Sequence, residues 1–110
     1  MNVFSGNSRL LQSPEETEAV VGENVTLRCR TDITSTTNPI EWRNKIVDAA
    51  TFDFVFKSNR AFKNRFHVIP NRATGQYDLI IDRVELRDAG RYTCGDKDDT
   101  HDAELIVFGK

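Results

Sequence analysis

Asp88-Ala89-Gly90-Arg91-Tyr92-Thr93-Cys94 decides the reading of this chain. Cys29 lies upstream of it, and Trp42 stands between the two cysteines. Around these positions the apolar residues alternate with polar ones. Val25, Leu27 and Cys29 share one parity, Thr26 and Arg28 the other, and Ile40 and Trp42 alternate with Glu41 and Arg43. A period of two belongs to strands with one buried side. Short runs of this kind, separated by turn signals and without a long helical period, predict an all-β chain.

The strands follow in order. Arg9 to Gln12 predicts a first edge strand, stopped at Ser13-Pro14 because proline has no N–H for a ladder. Ala19-Val20-Val21 resumes it before Gly22-Glu23, and residues 31–39 are a polar, turn-rich loop. Thr51 to Phe56 carries Phe52, Phe54 and Phe56 at one parity, which predicts a shared face with two of the three rings in the core. Arg65 to Ile69, Tyr77 to Ile81 (with Leu79) and Ala103 to Phe108 predict further strands, the last with Leu105 and Val107 inward. Residues 1–8 are polar and predict a loose segment ahead of one domain spanning 1–110.

The 110 residues suffice for one core. No apolar run is long enough to cross a membrane, and the first residues lack the pattern of a secretory leader. Met1 before a polar stretch reads as an expression start on an excerpt of a longer protein. Net charge is −2, unevenly spread: Lys57, Arg60, Lys63, Arg65 and Arg72 fall in a stretch without an acid. Asp96, Asp98, Asp99, Asp102 and Glu104 crowd the region after Cys94, and Glu15, Glu16, Glu18 and Glu23 form a second acidic run. Such a distribution argues against nucleic acid as a partner.

Taken together, Cys29, Trp42 and Asp-x-Gly-x-Tyr-x-Cys ending at Cys94 resemble the immunoglobulin superfamily, variable (V-set) type, over nearly the whole chain. The resemblance implies a two-sheet antiparallel Greek-key sandwich pinned by a Cys29–Cys94 disulfide, with Trp42 over the sulfurs and Tyr92 as the tyrosine corner. It also implies that Asp88 pairs with Arg65 to close the bottom of the sandwich, a pair contributing about 1 kcal/mol if half exposed. The extra length between Asn44 and Asn64 suits the additional strands of the V type. A structural disulfide implies an oxidising compartment, hence an extracellular domain or ectodomain.

Antigen-receptor variable domains carry Phe-Gly-x-Gly ahead of their last strand and a Gln three residues after the Trp. Here Phe108-Gly109 follows Leu105-Ile106-Val107 and the second position is Lys45, so the pattern looks more like adhesion molecules and innate-type receptors. Such domains meet protein partners on the G-F-C-C′ sheet or at its loops. Candidate contact residues are Glu41, Arg43, Phe54, Phe56, Arg91, Thr93, Glu104 and Ile106, and opposite charges between two copies suggest a homodimer. A sulfated glycan on the basic stretch is a weaker alternative. Antigen or glycan held by loops 31–39 and 95–102 is the alternative mode.

Little in the chain suggests chemistry. His67 and His101 have no ligand partner at metal spacing, and there is no phosphate loop or nucleophile elbow. No enzyme, cofactor or metal is expected. Residues 96–102 carry enough oxygens to consider calcium, but Lys97 and His101 interrupt them, and a solvated loop is the simpler reading. Asn24-Val25-Thr26 is an N-glycosylation sequon, and Asn24 is a candidate glycan site on the sheet opposite G-F-C-C′.

Overall fold

A computed structural model describes residues 10–32, 40–58, 60–71, 73–96 and 99–109. The strands are β1 Leu10–Gln12, β2 Thr17–Val20, β3 Val25–Leu27, β4 Arg30–Thr31, β5 Glu41–Ile46, β6 Asp53–Lys57, β7 Arg60–Ala61, β8 Phe66–Val68, β9 Leu79–Ile81, β10 Gly90–Gly95 and β11 Thr100–Phe108. A 3-10 turn, Leu86–Asp88, enters β10. One sheet has the order β2-β11-β10-β5-β6-β7, a second β3-β9-β8, and β1 pairs with β4. Thus β11, β10, β5 and β6 are the expected G, F, C and C′, with β7 extending that sheet by one strand. The parallel pairing of β2 on β11 beside β1 on β4 is the split first strand read at Ser13-Pro14.

Between the sheets lies one core. The three-stranded sheet contributes Val25, Leu27, Phe66, Leu79 and Ile81, and the six-stranded sheet Trp42, Val55, Phe56, Tyr92, Cys94 and Leu105. Cys29 and Cys94 are bonded across it. The bridge spans a sequence separation of 65 residues, for which loop-closure entropy gives about 4 kcal/mol. Trp42 is fully buried, and its indole N–H donates to the Tyr77 carbonyl at 2.6 Å, so the one polar atom of the ring is satisfied.

The expected strand over Val25 to Cys29 is interrupted. The Cys29 N–H donates to the Asp78 carboxylate at 2.9 Å, and the Cys29 carbonyl accepts from the Tyr77 N–H at 2.8 Å. A side chain thus replaces one rung of the ladder, and the strand divides into β3 and β4. Strand β11 begins three residues earlier than the expected Ala103, so Thr100, His101 and Asp102 belong to a strand rather than a loop tip. The rest of the acidic segment includes residues 97 and 98, which lie outside the described residues, as do 1–9, 33–39 and Arg72.

The phenylalanine run is corrected by a bulge. Trp42 pairs with Phe56 while Arg43 pairs with Phe54, so two residues of β6 advance against one of β5 and Val55 is the extra one. Phe54 therefore faces out opposite Arg43, and Phe56 faces in beside Trp42 at 2% exposure. Phe56 is a core residue and cannot be a partner contact. Phe52, just ahead of β6, is 41% exposed, so one of the three rings is in the core instead of two.

Candidate functional site

The bottom of the sandwich is built on Asp88. Its carboxylate accepts from Arg65 Nη1 at 3.0 Å, from Arg65 Nη2 at 2.9 Å and from the Glu85 N–H at 2.7 Å, and its carbonyl accepts the Tyr92 hydroxyl at 2.6 Å. Arg65 also donates to the carbonyls of Asp82 and Arg83 and lies 3.5 Å from Glu85. The pair is nearly buried, with side-chain exposures of 16% and 5%, so the condition of half exposure does not hold. The Asp88 hydrogen bond raises the Arg65 pKa further and outweighs the lowering effect of burial. Burial pushes the Tyr92 hydroxyl well above its ordinary value, against a smaller lowering by a hydrogen bond from Asn44.

An open cavity of about 340 Å³ lies beside this cluster, lined by Asn44, Lys63, Arg65, Arg87 and Asp88 among others. Its carboxylate is already engaged by Arg65 and a backbone N–H. Among the described residues no three His, Cys, Asp or Glu side chains converge to hold a metal ion. His67 instead meets Asp82 at 2.7 Å on the surface.

The outer face of the six-stranded sheet is different in kind. Pairing registers order it in rows. Asp102, Thr93, Arg43 and Phe54 are cross-strand neighbours in one row, and Glu104, Arg91 and Lys45 in the next. In these two rows the acids sit on β11 and the cations on β10 and β5, while Glu41 adds an acid on β5. Arg91 is held by Glu104 at 3.0 Å and Asp102 at 3.5 Å, with all three side chains solvent-accessible. Arg43 donates to Glu41 at 2.8 Å. Ile106, half-buried, continues the β11 row toward β2.

Beyond β5 the face turns aromatic and basic. The Arg43 guanidinium lies 5.0 Å and the Lys57 ammonium 4.3 Å from the centre of the Phe54 ring. Phe62, 54% exposed, sits 6.2 Å from Phe54 between centroids, and Arg60 lies over it at 6.0 Å. Cations over aromatic faces are worth about 0.5–1 kcal/mol each at exposed sites. Along the open groove of about 340 Å³ lined by Lys45, Val47, Phe52, Arg91 and Glu104, Val47 is 64% exposed.

Of the expected contact residues, Glu41, Arg43, Phe54, Arg91, Thr93, Glu104 and Ile106 are brought together on this face, and Phe56 is not. Lys45 and Phe62 join them and were missed. Lys57 and Asp102 join them too, read from sequence as parts of the basic stretch and the acidic region. Phe62 had a signal. The turn-favouring residue types between Lys57 and Arg60 are that signal in the sequence, and the pairing of Lys57 with Arg60 returns Phe62 to Phe54. The basic stretch does not form one patch. Arg65 is withdrawn into the buried ion pair and Lys63 donates to the buried Asn44 at 3.0 Å, whereas Lys57 and Arg60 remain on the face.

The family model of the immunoglobulin V-set domain matches residues 12–107. The synaptogenesis protein syg-1 of Caenorhabditis elegans is 28% identical over 103 residues, a match that takes in 93% of this chain and 13% of that protein. Among solved structures, Dpr1 IG1 in its complex with DIP-eta IG1 superposes with a TM-score of 0.75 at 18% identity, over 92% of this chain and 96% of that one. The RIG-5 IG1 homodimer gives 0.74 at 18%, over 93% and 98%. A domain of titin, I81, gives 0.68 at 14%, over 94% and 98%.

Proposed function

The chain belongs to the immunoglobulin V-set family, and from that membership we propose that it is an extracellular recognition domain that binds protein reversibly through the outer face of its six-stranded sheet. One observation carries the reading. Phe54, half-buried, and Phe62, exposed, stand at the centre of a cation cluster, while Asp102 and Glu104 of the same face stand on β11. An aromatic anchor with a charged surround suits a specific protein contact. It has no role in the core, which closes on the other side of the sheet.

The charge layout favours a second copy of this chain as the partner. Under a two-fold axis, Asp102 and Glu104 of one copy can meet Lys57 and Arg60 of the other, and the reverse contact is satisfied by the same operation. Support for a protein partner comes from two structural neighbours solved in complexes, RIG-5 IG1 as a homodimer and Dpr1 IG1 bound to DIP-eta IG1. The Cys29–Cys94 disulfide supports an oxidising, extracellular setting. The domain performs no chemistry on its partner.

Sedimentation across a concentration series tests this directly. Self-association that disappears in Arg43→Glu and Phe54→Ala, without loss of fold, is the expected result. A strict monomer at high micromolar concentration overturns self-recognition and leaves a different protein as partner. Binding to any partner that survives both substitutions overturns the face itself.

A further inference from the structure

We propose that Asn24 carries an N-linked oligosaccharide, and that this glycan closes the three-stranded sheet to partners while the six-stranded face stays bare. Asn24-Val25-Thr26 is the one Asn-x-Ser/Thr sequence in the chain. Both Asn24 and Thr26 are exposed, with the buried Val25 between them, so the acceptor amide and the hydroxyl two residues on point out from the same side of β3.

The amide has a defined orientation. The Arg83 N–H donates to Asn24 Oδ1 at 2.9 Å. A backbone donor fixes which atom is oxygen, and so directs Nδ2 away from the hydrogen bond. Arg83, whose N–H makes this contact, has a left-handed backbone at φ 49°. Transfer of a glycan leaves the contact intact. Nδ2 attacks the anomeric carbon of a lipid-linked oligosaccharide diphosphate. The N–C bond forms, the C–O bond to diphosphate breaks, the lipid diphosphate leaves with the electron pair, and one amide proton passes to a base of the transferase. Nδ2 keeps its second hydrogen and Oδ1 remains an acceptor for Arg83.

The position has a consequence for the sheet. Thr26, Ile80 and His67 form one cross-strand row of β3, β9 and β8. An oligosaccharide rooted beside that row stands over the outer surface of this sheet, on the opposite side of the sandwich from Phe54 and Arg43. The inference rests on the extracellular reading above, and not on the choice of contact face.

The test is to secrete the chain from a eukaryotic cell line and weigh it intact. The expected mass exceeds the bare polypeptide by one oligosaccharide. The excess is removed by peptide N-glycosidase, which leaves Asp at 24 with an acceptor for Arg83. Thr26→Ser keeps the excess; Thr26→Ala, which preserves the Asn24 hydrogen bond, lacks it. A secreted, disulfide-bonded chain with the bare mass overturns the proposal, as does an excess that persists in Thr26→Ala. A chain that emerges with free thiols at Cys29 and Cys94 overturns the extracellular reading and this inference with it.

Discussion

Arg65 and Asp88 are joined at both ends of their planar groups, Nη1 to Oδ2 at 3.0 Å and Nη2 to Oδ1 at 2.9 Å, beneath the hydroxyl of Tyr92. Arg65 holds this geometry from a left-handed backbone at φ 70°. Removing one partner of a buried pair leaves the other charge desolvated, and without Asp88 the Arg65 guanidinium keeps only the longer approach to Glu85 and two backbone carbonyls. Asp88→Ala is therefore expected to cost about 3–5 kcal/mol, read as a fall in the urea midpoint. A change of under 1 kcal/mol would show that the pair behaves as an exposed one.

Tyr92 makes stability fall in alkali. Its folded pKa is raised, chiefly by burial, so the unfolded chain loses the phenolic proton first. The contribution is fully present below the ordinary tyrosine value of about 10. Above it, stability declines by up to about 1.4 kcal/mol per pH unit until the folded group also ionises. Tyr92→Phe is expected to lose about 1 kcal/mol at neutral pH, with the bond to the Asp88 carbonyl, and to flatten the alkaline decline. Urea unfolding at pH 8 to 11 of both proteins checks the sign; equal slopes contradict it.

The bulge at Val55 separates two phenylalanines that lie two residues apart. Phe56→Ala empties a core position and should cost about 3–5 kcal/mol. Phe54→Ala should cost under about 1 kcal/mol of stability, since only cation and ring contacts at the surface are lost. Thermal unfolding of the two variants decides whether the register is the one described. Equal losses would restore strict alternation.

Gly90 is the close approach between β10 and β5. A Cβ there would fall against the Lys45 carbonyl oxygen and 2.6 Å from Ile46 Cα, at φ 148°. Neither neighbour can yield without breaking the pairing of Gly90 with Ile46. Gly90→Ala is expected to destabilise by about 1–3 kcal/mol. In hydrogen exchange, amides of β5 and β10 should open first, and unchanged protection there would contradict the assignment.

Much of the frame was legible because its signals are local. The alternation at Val25 and Leu27, and the Tyr92 to Cys94 run, report burial on one face of a strand. The joint spacing of Cys29, Trp42 and Cys94 then resembles a known way of pinning two sheets. The acidic and basic residues of the outer face of the six-stranded sheet could be named from strand parity wherever the strand was regular, as at Glu41, Arg43, Arg91 and Glu104. Parity failed at Phe56, because one unpaired residue reverses every later assignment in its strand. Asn44 could not be anticipated at all. It is a buried amide that makes sense only beside Tyr92 of β10 and Lys63 of the segment between β7 and β8.

The sequence alone determined most of the residues turned toward solvent on the larger sheet, since a period of two needs only neighbours in the chain, and the pinned two-sheet sandwich through the resemblance that Cys29, Trp42 and the run to Cys94 carry. Tertiary structure decided the pairings: the Val55 bulge, the hairpin that returns Phe62 to Phe54, the splitting of the basic stretch, and the burial of Arg65 with Asp88. Each depends on which strands meet and in what register. That is a long-range choice, made by the whole core at once and written in no single stretch.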